Sequence, residues 1–310
     1  MARRGFLLVG TLGACAVACG LGTVGSLSST GPRVDAAVET EAALPDGPVP
    51  GDGGLDVNPA NCAAACDGGR CENGFCVFDC ATVKSCTAPV KCPPGVPCKV
   101  NCSGSNSCRG GVDCASASAC NVICSGNDAC TTNPVACSGM FCDLACTGSG
   151  ACAGLSCDAG TCNVDCHGPN TCQGSVQCSG RSCSVACGAS AGVGNGACNA
   201  GVTCTASKDC RVDCLADNAC AGAIAVTAAE TAEVHCDRPG TCSNGVFEQS
   251  ADGGITCGAV NTCQNGIACS GARCTTTCTD GPQIIRRCCN ATACPETTTN
   301  GCFFTSVNCP

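Results

Sequence analysis

Cysteine recurs in this chain with a period of about 22 residues, and that spacing restricts the fold more than any other feature. The marker is a five-residue phrase, Cys-x-(Val/Leu)-x-Cys. It stands at Cys98-Lys-Val-Asn-Cys102, Cys120-Asn-Val-Ile-Cys124, Cys142-Asp-Leu-Ala-Cys146, Cys162-Asn-Val-Asp-Cys166, Cys183-Ser-Val-Ala-Cys187 and Cys210-Arg-Val-Asp-Cys214. A fixed period of this size belongs to a solenoid, whose units bury apolar faces only against their neighbours. A full unit carries four cysteines, as in Cys98, Cys102, Cys108 and Cys114. Units begin at 76, 98, 120, 142, 162, 183, 210, 232, 253 and 274, and Ala232 and Gly253 stand where two leading cysteines are missing.

Those two gaps reveal the pairing. Where Ala232 replaces a first cysteine, the fourth cysteine of the preceding unit is also gone and Val226 stands there. Where Gly253 replaces a first cysteine, the fourth is again absent, with Glu248 near its place. The second and third cysteines survive both times, as Cys214 with Cys220 and Cys236 with Cys242. Loss in couples is what partnership predicts, because a leftover thiol is reactive. The rule pairs second with third and fourth with the next first. It gives Cys80–Cys86, Cys92–Cys98, Cys102–Cys108, Cys114–Cys120, Cys124–Cys130, Cys137–Cys142, Cys146–Cys152 and Cys157–Cys162. It continues with Cys166–Cys172, Cys178–Cys183, Cys187–Cys198, Cys204–Cys210, Cys214–Cys220, Cys236–Cys242, Cys257–Cys263 and Cys269–Cys274.

Each bond encloses a few Gly, Ser, Asn and Ala residues, such as Ser103-Gly104-Ser105-Asn106-Ser107. A disulfide needs its Cα atoms within about 7 Å, so these segments must turn back. Between them runs the pattern apolar-x-Cys, as in Val112-x-Cys114, Val122-x-Cys124, Leu155-x-Cys157 and Ile267-x-Cys269. Positions i and i+2 of a strand share a face, so the apolar residue and the cysteine point inward together. The fold class expected is all-β, a disulfide-stapled parallel β-solenoid. Coils of about 22 residues align whole units; coils of about 11 are the alternative, and their alternating spacers stack less well.

Composition agrees. Trp and Tyr are absent, and 44 of 310 residues are cysteine, well beyond the level of a disulfide scaffold. Cystine, Val, Ile and Ala must fill the interior, and the bonds require an oxidising, exported location. A net charge of −9 without a basic run argues against nucleic acid as a partner.

The ends differ from the body. Residues 1–19 read as an export segment, with Arg3-Arg4 before an apolar stretch. Leu12-Gly13-Ala14-Cys15 resembles the lipobox of bacterial lipoproteins, which makes Cys15 the lipidation site, with Cys19 as the alternative. Free secretion after Ala16-Val17-Ala18, or an uncleaved anchor over 5–27, also fits. The twin-arginine route fits poorly, because it exports proteins already folded. Residues 20–61 contain no cysteine, are rich in Gly, Pro, Ala and Asp, and read as a disordered tether. Residues 62–76 form a cysteine-rich N-terminal cap, 76–278 the solenoid, and 279–310 a cysteine-rich C-terminal cap.

Val202-Thr203-Cys204-Thr205-Ala206-Ser207-Lys208-Asp209-Cys210 resembles a coil of the beetle antifreeze proteins, which are small disulfide-stapled β-helices. The wider body, with Cys-Ser-Gly-x-x-x-Cys at 102–108 and 124–130, is similar to cysteine-rich parallel β-helix repeats of exported proteins. The resemblance implies ice binding only through a Thr-x-Thr ladder. Here Thr-Cys-Thr stands at 203–205 and 277–279 alone, and the outward positions Asn101, Asp113, Ile123, Ala136, Ala145, Asp165, Gln177 and His235 make no ladder.

An enzyme needs converging acid, base or nucleophile groups. The chain has two histidines, His167 and His235; with 22-residue coils Asp213 and His235 fall on adjacent coils, a pairing expected to be a solvated contact. Cys-x3-Cys and Cys-x5-Cys spacing favours cystine over zinc thiolates, so no metal or cofactor is expected. Asn290-Ala291-Thr292 matches a glycosylation sequon, and 188–197 is an insertion inside one stapled turn. The expected protein is a non-enzymatic structural or adhesive rod on a bacterial surface, lipid-anchored in the outer membrane or cell surface, with a glycan or protein as surface ligand. A carbohydrate-binding or carbohydrate-cleaving β-helix is the alternative, and an ice-binding protein the minor one.

Overall fold

A computed structural model describes residues 59–188, 195–259, 261–278, 283–289 and 302–306. Cys15, Cys19, residues 20–58, Asn290 and most of 279–310 lie outside them, while 59–61, expected as the end of the tether, open a helix.

The chain forms a parallel β-solenoid of about nine coils with about 22 residues in each. Alternation of cysteine and valine around polar residues sets the strands. After a short helix, α1 (Pro59–Ala65), come β1 (Arg70–Glu72), β2 (Phe75–Asp79), β3 (Val90–Lys91), β4 (Cys98–Asn101), β5 (Val112–Cys114) and β6 (Cys120–Cys124). The long strands follow: β7 (Val135–Cys146), β8 (Leu155–Cys166), β9 (Val176–Cys187) and β10 (Val202–Cys214). Then come β11 (Ile224–Ala228), β12 (Thr231–Cys236), β13 (Val246–Cys257), β14 (Ile267–Cys278), β15 (Gln283–Cys289) and β16 (Cys302–Ser306).

Register is kept coil after coil. Val100 pairs with Val122, then Leu144, Val164, Val185, Val212, Val234 and Ile255. A second column holds Val90, Val112, Val135, Leu155, Val176, Val202, Ile224, Val246 and Ile267. All of these side chains are buried, together with the cysteines beside them. Each such aliphatic side chain contributes about 1.5–3 kcal/mol on burial, so two columns replace an aromatic core.

Every coil turns at two corners. The first lies between the second and third cysteines of a unit. Here the closing cysteine and the residue two before it adopt the left-handed conformation, as at Asn106 (φ 58°) with Cys108 (51°) and Asn218 (58°) with Cys220 (51°). The turn is pressed against the coil beneath. A Cβ placed on Gly126 would lie 2.2 Å from the Gly104 carbonyl oxygen, and one on Gly148 2.1 Å from that of Gly126. Only glycine fits so close an approach of two backbones. The second corner lies between the fourth cysteine and the next first. In β7, β8, β9, β10, β13 and β14 the strand runs through it, and the ladder between neighbouring long strands resumes after a break of one or two residues.

Fifteen of the sixteen repeat pairings are disulfides. Cys178 and Cys183 correct the sixteenth: they are buried thiols, not a cystine. Their corner stacks on the four-residue corner 158–161 and beneath the five-residue corner 205–209, where the register shifts between Ala206 and Asp209. Gly180 is also wedged against the Ala159 carbonyl. The two sulfurs meet through a hydrogen bond. Donation to Cys183, with burial, pushes the Cys178 thiol up, and accepting that bond lowers Cys183.

At the N-terminal end Cys62 bonds Cys71 and Cys66 bonds Cys76. Strand β1 pairs antiparallel with β2, so the first coil does not offer a bare edge for another chain to join. At the other end the parallel ladder continues past Cys278, since β15 pairs with β14 and β16 with β15.

Candidate functional surface

Side chains of the interior are committed to packing and cystine, so chemistry is left to the outward positions of the strands and to the cap. Each of the two histidines lies beside an acid. His167 Nδ1 contacts Asp165, whose carboxyl is pushed up by burial and drawn partly back by His167. Asp213 and His235 do lie side by side on β10 and β12. Their partners differ from the expected contact, however. Asp213 accepts from Arg211 Nε at 2.8 Å, and the Arg211 guanidinium reaches Glu233 on the next coil at 2.9 Å. His235 Nε2 stands 3.6 Å from Glu233. Hydrogen bonding to Asp213 raises the Arg211 guanidinium above its ordinary range. Arg211 thus bridges two carboxylates, and the group is a charge-neutralising network across two coils. Nearby, Thr231 donates to Asp209 at 2.6 Å, which lowers that carboxyl.

Thr203 and Thr205 lie on β10 between Gln177 and Ser179 of β9 and Ala225 and Thr227 of β11. They share no Thr-x-Thr repeat with either neighbour. Thr277 pairs with Thr256 on β13, and Thr279 lies outside the described residues. A different row escaped the sequence reading: Ser138, Asp158, Ser179, Thr205, Thr227, Gln249 and Ser270 stack one per coil. Its signal was in the sequence, since each residue directly follows the fourth cysteine of a unit or its replacement. Ser179 donates to Asp158 at 2.9 Å within this row.

A second surface feature also went unread. Beside the β1–β2 hairpin a depression of about 390 Å³ is lined by Glu72, Asn73, Phe75, Val77, Lys99 and Asn121. Val77, Lys99 and Asn121 stack on successive coils and form its floor. Phe75 stays 39% exposed, the only aromatic beside this floor. Asn121 donates to Asp143 at 2.8 Å, while its own carbonyl oxygen is enclosed without a partner. Asn73-Gly74, which the sequence marks as a turn, places Phe75 there through two positive φ angles, 49° and 81°.

The groups of three cysteines that lie close enough to hold a metal, such as Cys102, Cys108 and Cys130, consist of one staple and a sulfur of the next coil. Sulfurs joined as cystine are not thiolates, so the groups made wholly of cystine sulfurs fit stacked staples and do not fit a metal. The insertion 188–197 is closed by Cys187–Cys198; its residues 189–194 lie outside the described part. No family model, no curated protein and no solved structure matches this chain.

Proposed function

We propose that this is an exported, non-enzymatic surface protein, lipid-anchored through Cys15, whose stacked coils serve as a stiff structural or adhesive body on a flexible tether. One observation carries the reading: a parallel ladder from β2 to β14 in which nearly every corner is closed by its own cystine. Such a stack resists opening and proteolysis because a coil that loses its hydrogen bonds stays looped by its staples, which limits the entropy it can gain. Cysteine content of this order supports an oxidising location, and the lipobox-like Leu12-Gly13-Ala14-Cys15 supports the anchor. The test is two-part. Fatty-acid labelling of the protein in a bacterial host should disappear in Cys15→Ser. Cells displaying the wild type should adhere to a ligand-coated surface that cells lacking it do not hold; equal adhesion of both removes the adhesive role, and label retained in Cys15→Ser removes the anchor.

The alternative is carbohydrate binding, and the Phe75 depression favours it. An exposed ring beside a floor that carries an aliphatic, a cationic and an amide side chain is the composition of a small ligand site. A glycan array with wild type and Phe75→Ala, run with a reducing-sugar assay, tests this reading. Binding lost in the variant without release of reducing ends supports a lectin-like module. Sugar release would make the protein an enzyme.

A further inference from the structure

Glu248 occupies a position that belongs to a cysteine. On β13 it stands in register with Val226 on β11 and with Cys269 on β14, and it is 3% exposed. Gly253, in register with Ala232 and Cys274, stands where the partner cysteine belongs. The two replacements are complementary. A Cβ on Gly253 would lie 2.4–2.6 Å from the Glu248 carboxyl atoms, so the carboxyl fills the space a cystine and a side chain would otherwise use.

The groups facing this carboxyl come from three elements. From its own strand, buried Ser250 donates to it, and Asp252 adds a like charge. From β14, Cys269, bonded to Cys274, touches its other oxygen, and Arg273 is engaged with Asp252. From β11, only the Val226 side chain lies beneath. A buried carboxylate so placed has one hydroxyl donor and a repelling neighbour, which is too little to replace water.

We propose that the Glu248–Gly253 corner is a pH-sensitive weak point of the stack, closed while the carboxyl carries its proton and prone to local opening when it ionises. Burial, opposed by Ser250 and assisted by Asp252, pushes Glu248 up to about 7 from an ordinary 4.5. The sign follows. Below pH 4.5 the carboxyl is protonated whether the corner is closed or open, and closure is undisturbed. Between the two values only the open form ionises, so opening grows as pH rises; above about 7 both forms are ionised and the effect levels off.

The experiment is hydrogen exchange of the full, oxidised chain, read by mass spectrometry on a peptide covering 246–257 and on 135–146 as reference. After correction for intrinsic exchange, opening at 246–257 should rise on the order of 100-fold from pH 4.5 to 7.5, as a shift of two or more units implies, while 135–146 stays flat. Glu248→Gln should abolish the rise. Should that variant not fold, Glu248→Cys combined with Gly253→Cys restores the staple and should abolish it equally. A flat profile in the wild type, or the same rise in the variant examined, overturns the proposal.

Discussion

The two corners of each coil solve the same problem by different means. At the first corner the chain leaves the ladder, takes left-handed conformations at Cys108, Cys130, Cys172 or Cys220, and sets a glycine or alanine against the coil below. At the second, neighbouring long strands pair on both sides of the corner and lose the register there for only one or two residues. Among the described repeats every first corner keeps its cystine, including the one stretched by the insertion at Cys187–Cys198. The second corner tolerates Val226 with Ala232, Glu248 with Gly253, and the thiols Cys178 and Cys183. Covalent closure is retained at every described first corner and is absent from three second corners.

The sharpest way to break this contrast is to remove one staple from each corner. Replacing Cys166 and Cys172 by alanine should cost about 3–5 kcal/mol, the sum of a short-loop disulfide and a strained left-handed alanine. Replacing Cys157 and Cys162 on the same strand should cost about 2 kcal/mol or less. Denaturant midpoints measured at constant m decide; equal losses would dissolve the distinction between the corners. Next in size, Gly126→Ala drives a methyl into the Gly104 carbonyl and should cost about 2–4 kcal/mol, while Gly95→Ala, whose Cβ meets nothing within 4 Å, should cost about 1 kcal/mol from its left-handed φ alone. The ratio of their melting shifts tests whether coil contact governs the first corner.

In the opposite direction, Val226→Cys with Ala232→Cys should form a bond, because both positions stack on Cys204 and Cys210, which are themselves joined. The expected gain is about 1–2 kcal/mol, visible as a raised denaturant midpoint that reductant reverses. Cys178 and Cys183 offer a chemical readout of the same corner: alkylation of the unfolded, unreduced protein should mark both, and peptide mapping that finds them joined would restore the sixteenth staple. The smallest effect belongs to the surface. Arg211→Ala releases Asp213 and Glu233 from an exposed network and should lower stability by less than about 1 kcal/mol, with the difference shrinking in high salt.

Much of this architecture was readable because the fold is local. Coil length followed from the marker phrase, and partnership from cysteines lost in couples at Ala232 and Gly253. What escaped has a common cause. The Cys178 and Cys183 thiols share the spacing of the bonded pairs Cys137–Cys142 and Cys157–Cys162 and carry no signal in the sequence, and the Asp213–His235 prediction missed Arg211 because ion pairing is settled by rotamers across coils. Phe75 became part of a surface only once the hairpin had folded beside the stacked Lys99 and Asn121. Glu248 was noticed as a substitution, but its complementarity to Gly253 needed coordinates.

Shortness of the crosslinks has a consequence for biogenesis. Each described cystine joins residues between 5 and 11 positions apart. Under the export proposed above, a chain threading out of a translocation pore would expose both sulfurs of a bond almost together, and could seal one turn before the next has emerged. Closure would then run like a zip fastener from the amino end, and the competing mate at each step is the neighbouring cysteine of the marker phrase, four positions away, as Cys98 is from Cys102.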